Sequence, residues 1–292
     1  MVNVFSLLGG SPIALAFVTS ILLGLAIVVA QRGVRSIGTL PGAAVANTSS
    51  FLILLVFAPV LWSAEGATAG SLGIFVLVGI FFPGGVTLLM LESNRRLGPS
   101  MTASIAGTTP LFAWLAAVLF LGEAFVKSGL IGTAAIVVGI ATLAWRRGGV
   151  PGQVVSRAAL FPLSSAVIRA AAQVLTKFAL AIWPSPFAAI FIAYIASAIV
   201  TSSLCKLRGE RIPRRPALGW FALSGAMNAI GTLALYTALR DGDVTVVAPI
   251  AATGPLVTLA ASALILREEK LTLRLATGVT ITLFGVALIL MR

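Results

Sequence analysis

Apolar runs of about twenty residues, the length that crosses a bilayer's hydrocarbon core, follow one another along this chain. Short stretches of charges, glycines and prolines part them. The pattern predicts helices over 11–31, 41–62, 70–92, 99–121, 128–145, 158–181, 186–205, 216–239, 244–266 and 272–291. The sixth run is interrupted by Arg169, Gln173 and Lys177 and still reads as a span. The fold class expected is an all-α integral membrane protein of ten transmembrane helices.

The runs repeat. Sliding the chain by 145 positions brings Ser20 onto Ser165, Pro41 onto Pro186, Pro110 onto Pro255 and Glu123 onto Glu268. After a slip of one residue Gly132 meets Gly278 and Gly139 meets Gly285. Each half, 1–147 and 148–292, then holds five helices. Five is odd, so the second half enters the membrane the other way up. That is the inverted-repeat plan of many secondary transporters, with a site near the midplane between the halves.

Composition changes the picture by exclusion. Of 292 residues 59% are hydrophobic and 10% charged, and mean hydropathy is +1.09. A soluble domain is about 25% charged, so lipid is the expected solvent. The net charge of +12 would suggest nucleic acid in a soluble protein. Here the bases lie in gaps between apolar runs, so no nucleic-acid partner is expected. Arg32 and Arg35, Arg95 and Arg96, Arg146, Arg147 and Arg157, the five bases of KLRGERIPRR (Lys206–Arg215), and Arg267, Lys270 and Arg274 all follow odd-numbered helices. Lys127, Arg240, Arg292 and Lys177 fall on the other side. By the positive-inside rule the first set is cytoplasmic and both termini are periplasmic, in a multi-pass protein of the inner (plasma) membrane. No Lys or Arg precedes the first run, which reads as a retained helix rather than a cleaved signal peptide. Cys205 is the only cysteine and there is no histidine, so neither a disulfide within the chain nor a His/Cys metal site is expected. No nucleophile–base pair and no phosphate loop with its lysine is present, so neither an enzyme nor a cofactor is expected.

SIAGTTPLFAWL, then LGE at Leu121–Glu123, then GLIGTAAIVVGIATLAW form one series of motifs. APIAATGPLVTLAA, LREE at Leu266–Glu269 and ATGVTITLFGVALIL repeat it. The chain thereby resembles the EamA-type domain of the drug/metabolite transporter superfamily, in two copies covering essentially its whole length. The resemblance implies two inverted five-helix repeats around a central cavity. It also implies export of a small molecule, with the YddG-like amino-acid exporters nearest in size. Transporters of phosphate-bearing or lipid-linked sugars, including nucleotide sugars, are the alternative.

Arg169 stands about twelve residues into the sixth run, near mid-membrane, where an arginine costs at least about 2.5–3.5 kcal/mol and must face protein or water. Its planar fork suits a carboxylate or phosphate; a structural ion pair with Glu92 is the other reading. Gln173, one turn on, shares its face. Pro83, Gly84 and Gly85 in FFPGG, with Pro110, Pro249 and Pro255, are expected hinges, since each proline removes a backbone donor. The 145-residue offset carries FFPGG onto Met227 and Asn228, so Phe82, Asn228, Met90 and Tyr236 are candidate cavity walls. Asn47 is expected to bridge helices, and Glu123 and Glu268 to fix the tight turns that they enter. The partners expected are a small-molecule substrate and the bilayer; the oligomeric state stays open, with a monomer sufficient.

Overall fold

The computed structural model describes residues 10–34, 38–97, 99–144, 157–210, 215–261 and 273–291. Glu268 and the rest of LREE lie outside these residues, as do Arg35, Arg146, Arg147, Arg211, Arg214, Arg267, Lys270 and Arg292. Thirteen α-helices follow in order: α1 Pro12–Val34, α2 Thr39–Leu61, α3 Ala69–Gly79, α4 Val86–Leu97, α5 Pro99–Ala106, α6 Thr109–Leu121, α7 Lys127–Ala144, α8 Leu160–Ile182, α9 Pro186–Leu207, α10 Arg215–Asp241, α11 Val244–Ala251, α12 Gly254–Ala261 and α13 Leu273–Leu290. No strand occurs among the described residues. Eight helical stretches are long and apolar enough to cross a membrane, and Thr109–Leu121 and Lys127–Leu143 are shorter apolar helices. These are the ten segments that the sequence pattern predicts. Val56, Val60 and Phe120 are 74%, 76% and 78% exposed. Side chains of that kind face outward without cost only where the solvent is hydrocarbon.

Local chemistry sets the ends and breaks. Thr68 opens α3 with a capping box, its hydroxyl accepting from Ser71 N–H. Ser185 caps α9 ahead of Pro186 in the first turn, where a missing N–H costs nothing. Three spans are interrupted. A π-helical turn, Ile80–Gly85, joins α3 to α4, with Phe82 extended at φ −139°, ψ 122° just before Pro83. At α5/α6 and α11/α12 the helix stops just ahead of Pro110 and Pro255. Thr109 Oγ1 donates to Ala106 O, the carbonyl that Pro110 cannot serve. Thr108 Oγ1 to Ile105 O and Thr253 Oγ1 to Ile250 O are both 2.7 Å, the same repair at positions 145 apart. Pro249 lies inside α11.

The halves interlock by matching contacts, as an inverted pair must. Between α7 and α13, a Cβ on Gly132 would stand 2.7 Å from Gly285 O, and one on Gly278 would stand 3.1 Å from Gly139 O. Swapping the halves turns one contact into the other, and only glycine lets the backbones approach so closely. Ser50 on α2 donates to Gly225 O on α10 at 2.7 Å. Ser197 on α9 donates to Gly79 O on α3, also at 2.7 Å. Each is a second-helix serine bonded to a third-helix carbonyl of the opposite half. Interhelical bonds of this kind contribute about 0.6 kcal/mol each in membranes, so they fix register more than stability.

Candidate functional site

A cavity of about 340 Å³ lies between the halves. It is lined by α1, α2, the Ile80–Gly85 turn with α4, α8, α9 and α10. Its lining reaches exposed Thr39 of α2, beside Ala30 of α1 and Phe221 of α10, so it opens at the basic end of the molecule, whereas Ile190 and Tyr236 on its lining are buried. The volume sits at the small end of the range for ligand pockets, about 300–1,000 Å³.

Arg169 of α8 reaches this cavity. Its guanidinium carbon lies 5.3 Å from the Phe82 ring centroid, a cation–π contact. The non-helical backbone at Phe82 is what turns that ring toward the arginine. Among the described residues Arg169 has no carboxylate and no hydrogen-bond acceptor. The pairing with Glu92 allowed by the sequence is therefore absent: Glu92 Oε1 accepts from Arg96 Nε at 2.6 Å, one turn along α4. Arg169 is thus a cation at the cavity whose donors meet no acceptor among the described residues.

Phe82, Pro83, Asn228 and Tyr236 line the cavity with it. The matched positions Pro83 and Asn228 face each other's half across it, as do Thr87 and Thr232. Gln173 and Met90 lie off the lining. Gln173 Oε1 is buried without a hydrogen-bond partner, and Met90 Sδ accepts from Ser165 Oγ at 3.3 Å. Gly84 and Gly85 lie in the π-helical turn and Pro110, Pro249 and Pro255 in the broken spans, none of them on the lining. Asn47 Nδ2 reaches Thr201 Oγ1 at 3.5 Å, bridging α2 and α9, while its side chain also lines the cavity. Tyr194, whose hydroxyl lies 3.3 Å from Thr232 Oγ1, is a lining residue that the pattern missed. A signal existed: the chain has only 2 tyrosines, and both stand inside apolar runs. No cluster of metal-ligating side chains occurs among the described residues.

Beyond the floor the molecule is closed by rings. Trp62 packs edge-on against Trp183 at 5.8 Å and against Phe191 at 5.6 Å, and Trp183 Nε1 donates to Ser63 O at 3.0 Å. At the same end Gly122, in left-handed backbone at φ 67°, stops α6 and turns Glu123 away from its own helix. Glu123 does not fix that turn. Its Oε1 accepts from Val244 N–H at 2.7 Å and its Oε2 from Thr245 N–H at 2.9 Å, capping α11 of the other half. Lys177 Nζ donates to Glu123 Oε1 at 3.0 Å and to Gly242 O at 2.7 Å. Burial pushes the Glu123 carboxyl up, but the backbone bonds from Thr245 and Val244 and the Lys177 ammonium outweigh it, holding it below its usual 4.5.

Three comparisons bear on this arrangement. The model of the EamA-like transporter family matches residues 10–145 and again 156–291. An uncharacterized protein of Methanocaldococcus jannaschii is 34% identical over 86 residues, which is 30% of this chain and 62% of that one. The match thus spans less than two thirds of that relative. A crystal structure described only as that of a protein superposes with a TM-score of 0.80 at 17% identity, covering 94% of each chain. That likeness shows the fold.

Proposed function

This chain belongs to the EamA-like transporter family, and on that premise we propose that it is a secondary transporter exporting amino acids or related small metabolites by alternating access. The observation that carries the substrate class is Arg169, a guanidinium at a membrane cavity with no hydrogen-bond acceptor among the described residues. An ion there is tolerable when water solvates it in the empty state and a carboxylate pairs with it in the loaded one. Phe82, Tyr194 and Tyr236 supply apolar ring surface with hydroxyls nearby, which suits an amino acid with an aromatic or apolar side chain. A single cation lines the described cavity, which favours one carboxylate over a phosphate or diphosphate. The mouth lies at the basic end, the cytoplasmic end by the positive-inside rule, so solute loads from inside.

The test is uptake into proteoliposomes of a panel of labelled amino acids, beside phosphorylated sugars, with wild type and Arg169→Ala. Transport of an apolar or aromatic amino acid is expected, falling about tenfold to a hundredfold in the variant, the loss of a bond to a charged group. Movement of phosphorylated sugars alone, or an Arg169→Ala protein that transports normally, overturns the assignment.

A further inference from the structure

The closed end of the cavity is held by bonds between the repeats, and the matching hydroxyls toward the open end are not bonded to each other. Glu123 belongs to the first repeat, while Val244, Thr245 and Lys177, all bonded to it, belong to the second. Deeper in the membrane, Ser20 Oγ of α1 lies 2.8 Å from Thr253 Oγ1, at the break between α11 and α12. The 145-residue offset carries Ser20 onto Ser165 and Thr253 onto Thr108. These two are not bonded to each other. Ser165 Oγ donates instead to Met90 Sδ, a weak acceptor, and Thr108 Oγ1 only to Ile105 O. Thr253 makes the equivalent backbone bond and still reaches Ser20. The pair made in one half is thus absent in the other.

We propose that Glu123 with Lys177, and Ser20 with Thr253, form an interrepeat latch that holds the chain open at its basic end, and that Ser165 and Thr108 bond in its place in the oppositely facing state. This rests on reading the chain as an alternating-access carrier. The energetics permit a switch. Glu123 and Lys177 lie at the end of their spans, with 5% and 22% of their side chains exposed. Opening that end brings water to the carboxylate and the ammonium, so neither charge is stranded in lipid. The hydroxyl pairs exchange one bond for one, at little net cost. Two such arrangements of one sequence differ by few interactions, as a two-state carrier needs.

The test places spin labels at Lys127→Cys and Asp241→Cys, exposed positions on either side of the latch, in a Cys205→Ser background in lipid nanodiscs. Distances are read by pulsed electron resonance. Glu123→Gln is expected to raise the ratio of a longer to a shorter distance by about tenfold, as loss of a bond to a charged group predicts. Lys177→Met tests the same contact without touching the helix cap, and carries the test if Glu123→Gln does not remain monodisperse. Adding Ser165→Ala to either variant is expected to shrink the longer population again, a reversal that general loosening of the fold does not produce. Populations that ignore the latch variants, or that Ser165→Ala enlarges, overturn the proposal. If labelled amino acids are still transported in proteoliposomes, the carrier reading survives that failure. A single distance in every variant with no transported solute ends both.

Discussion

Arg169 and Glu123 are both charges at costly places, and the structure treats them differently. Arg169 has no hydrogen-bond acceptor among the described residues, whereas both carboxylate oxygens of Glu123 accept from the other half of the chain. Replacing Arg169 by Lys keeps the charge and loses the two-pronged fork. Arg169→Lys is therefore expected to bind solute about tenfold more weakly in the proteoliposome assay, between wild type and Arg169→Ala. For Glu123 the sign follows from a carboxyl held below its usual 4.5. Such a group contributes stability above its unfolded value and loses it as pH falls through the lower folded value. Lys177 is the charged group bonded to it, and Asp243 lies 3.8 Å from that ammonium. The spin-label distance distribution is expected to stay constant from about pH 8 to about pH 5.5 and to lengthen as pH falls below the ordinary carboxylate value. A step near neutral pH would contradict this. The sequence places Glu123 at a helix end but not against α11, because a partner 121 residues away leaves no local mark.

Among the elements, α7 and α13 depend strongly on residue size. A Cβ at Gly139 would meet Thr282 and would lie 2.8 Å from Gly278 O, while one at Gly285 would lie 2.8 Å from Ile136. Neither neighbour can yield without parting the helices. Gly139→Leu is expected to destabilise the protein by about 1–3 kcal/mol or more, read as a lowered midpoint in detergent unfolding. Gly73, which has nothing within 4 Å of such a Cβ, should accept alanine with little change. The prolines were legible as breaks because a missing N–H is a property of the residue. Which broken element lines the cavity was not: the Phe82–Pro83 turn does, and the breaks at Pro110 and Pro255 do not. The offset pairs Arg169 with Gly24. The same site on the fold thus holds a charge in α8 and, in α1, a glycine packed against Gly254 O and Val257. The cavity is asymmetric for that reason.

At the scale of the molecule, one end is basic and open and the other aromatic and closed. Arg32, Arg96, Arg157, Lys206 and Arg208 gather at the open end, with Arg32 lying over the Trp220 ring at 5.1 Å. By the positive-inside rule we propose that this end is cytoplasmic and that both termini lie outside. A phosphatase fused after Arg292 is therefore expected to be active in intact cells and a fluorescent protein at the same point dark. The reverse pair of results would invert the loading side proposed here.

Apolar run length, punctuation and the 145-residue offset were sufficient for class, number of spans and inverted plan. Each depends on what one residue type does in lipid or to its own helix, which needs no knowledge of neighbours. Only the tertiary structure could settle that Arg169 has no hydrogen-bond acceptor among the described residues, that Tyr194 and Thr232 share its cavity, and that Glu123 bonds across the repeat boundary at the opposite end. Those are relations between positions far apart in the chain. In an inverted repeat two oppositely facing arrangements satisfy the same hydrophobic pattern, so the pattern cannot say which contacts are made and which are left open.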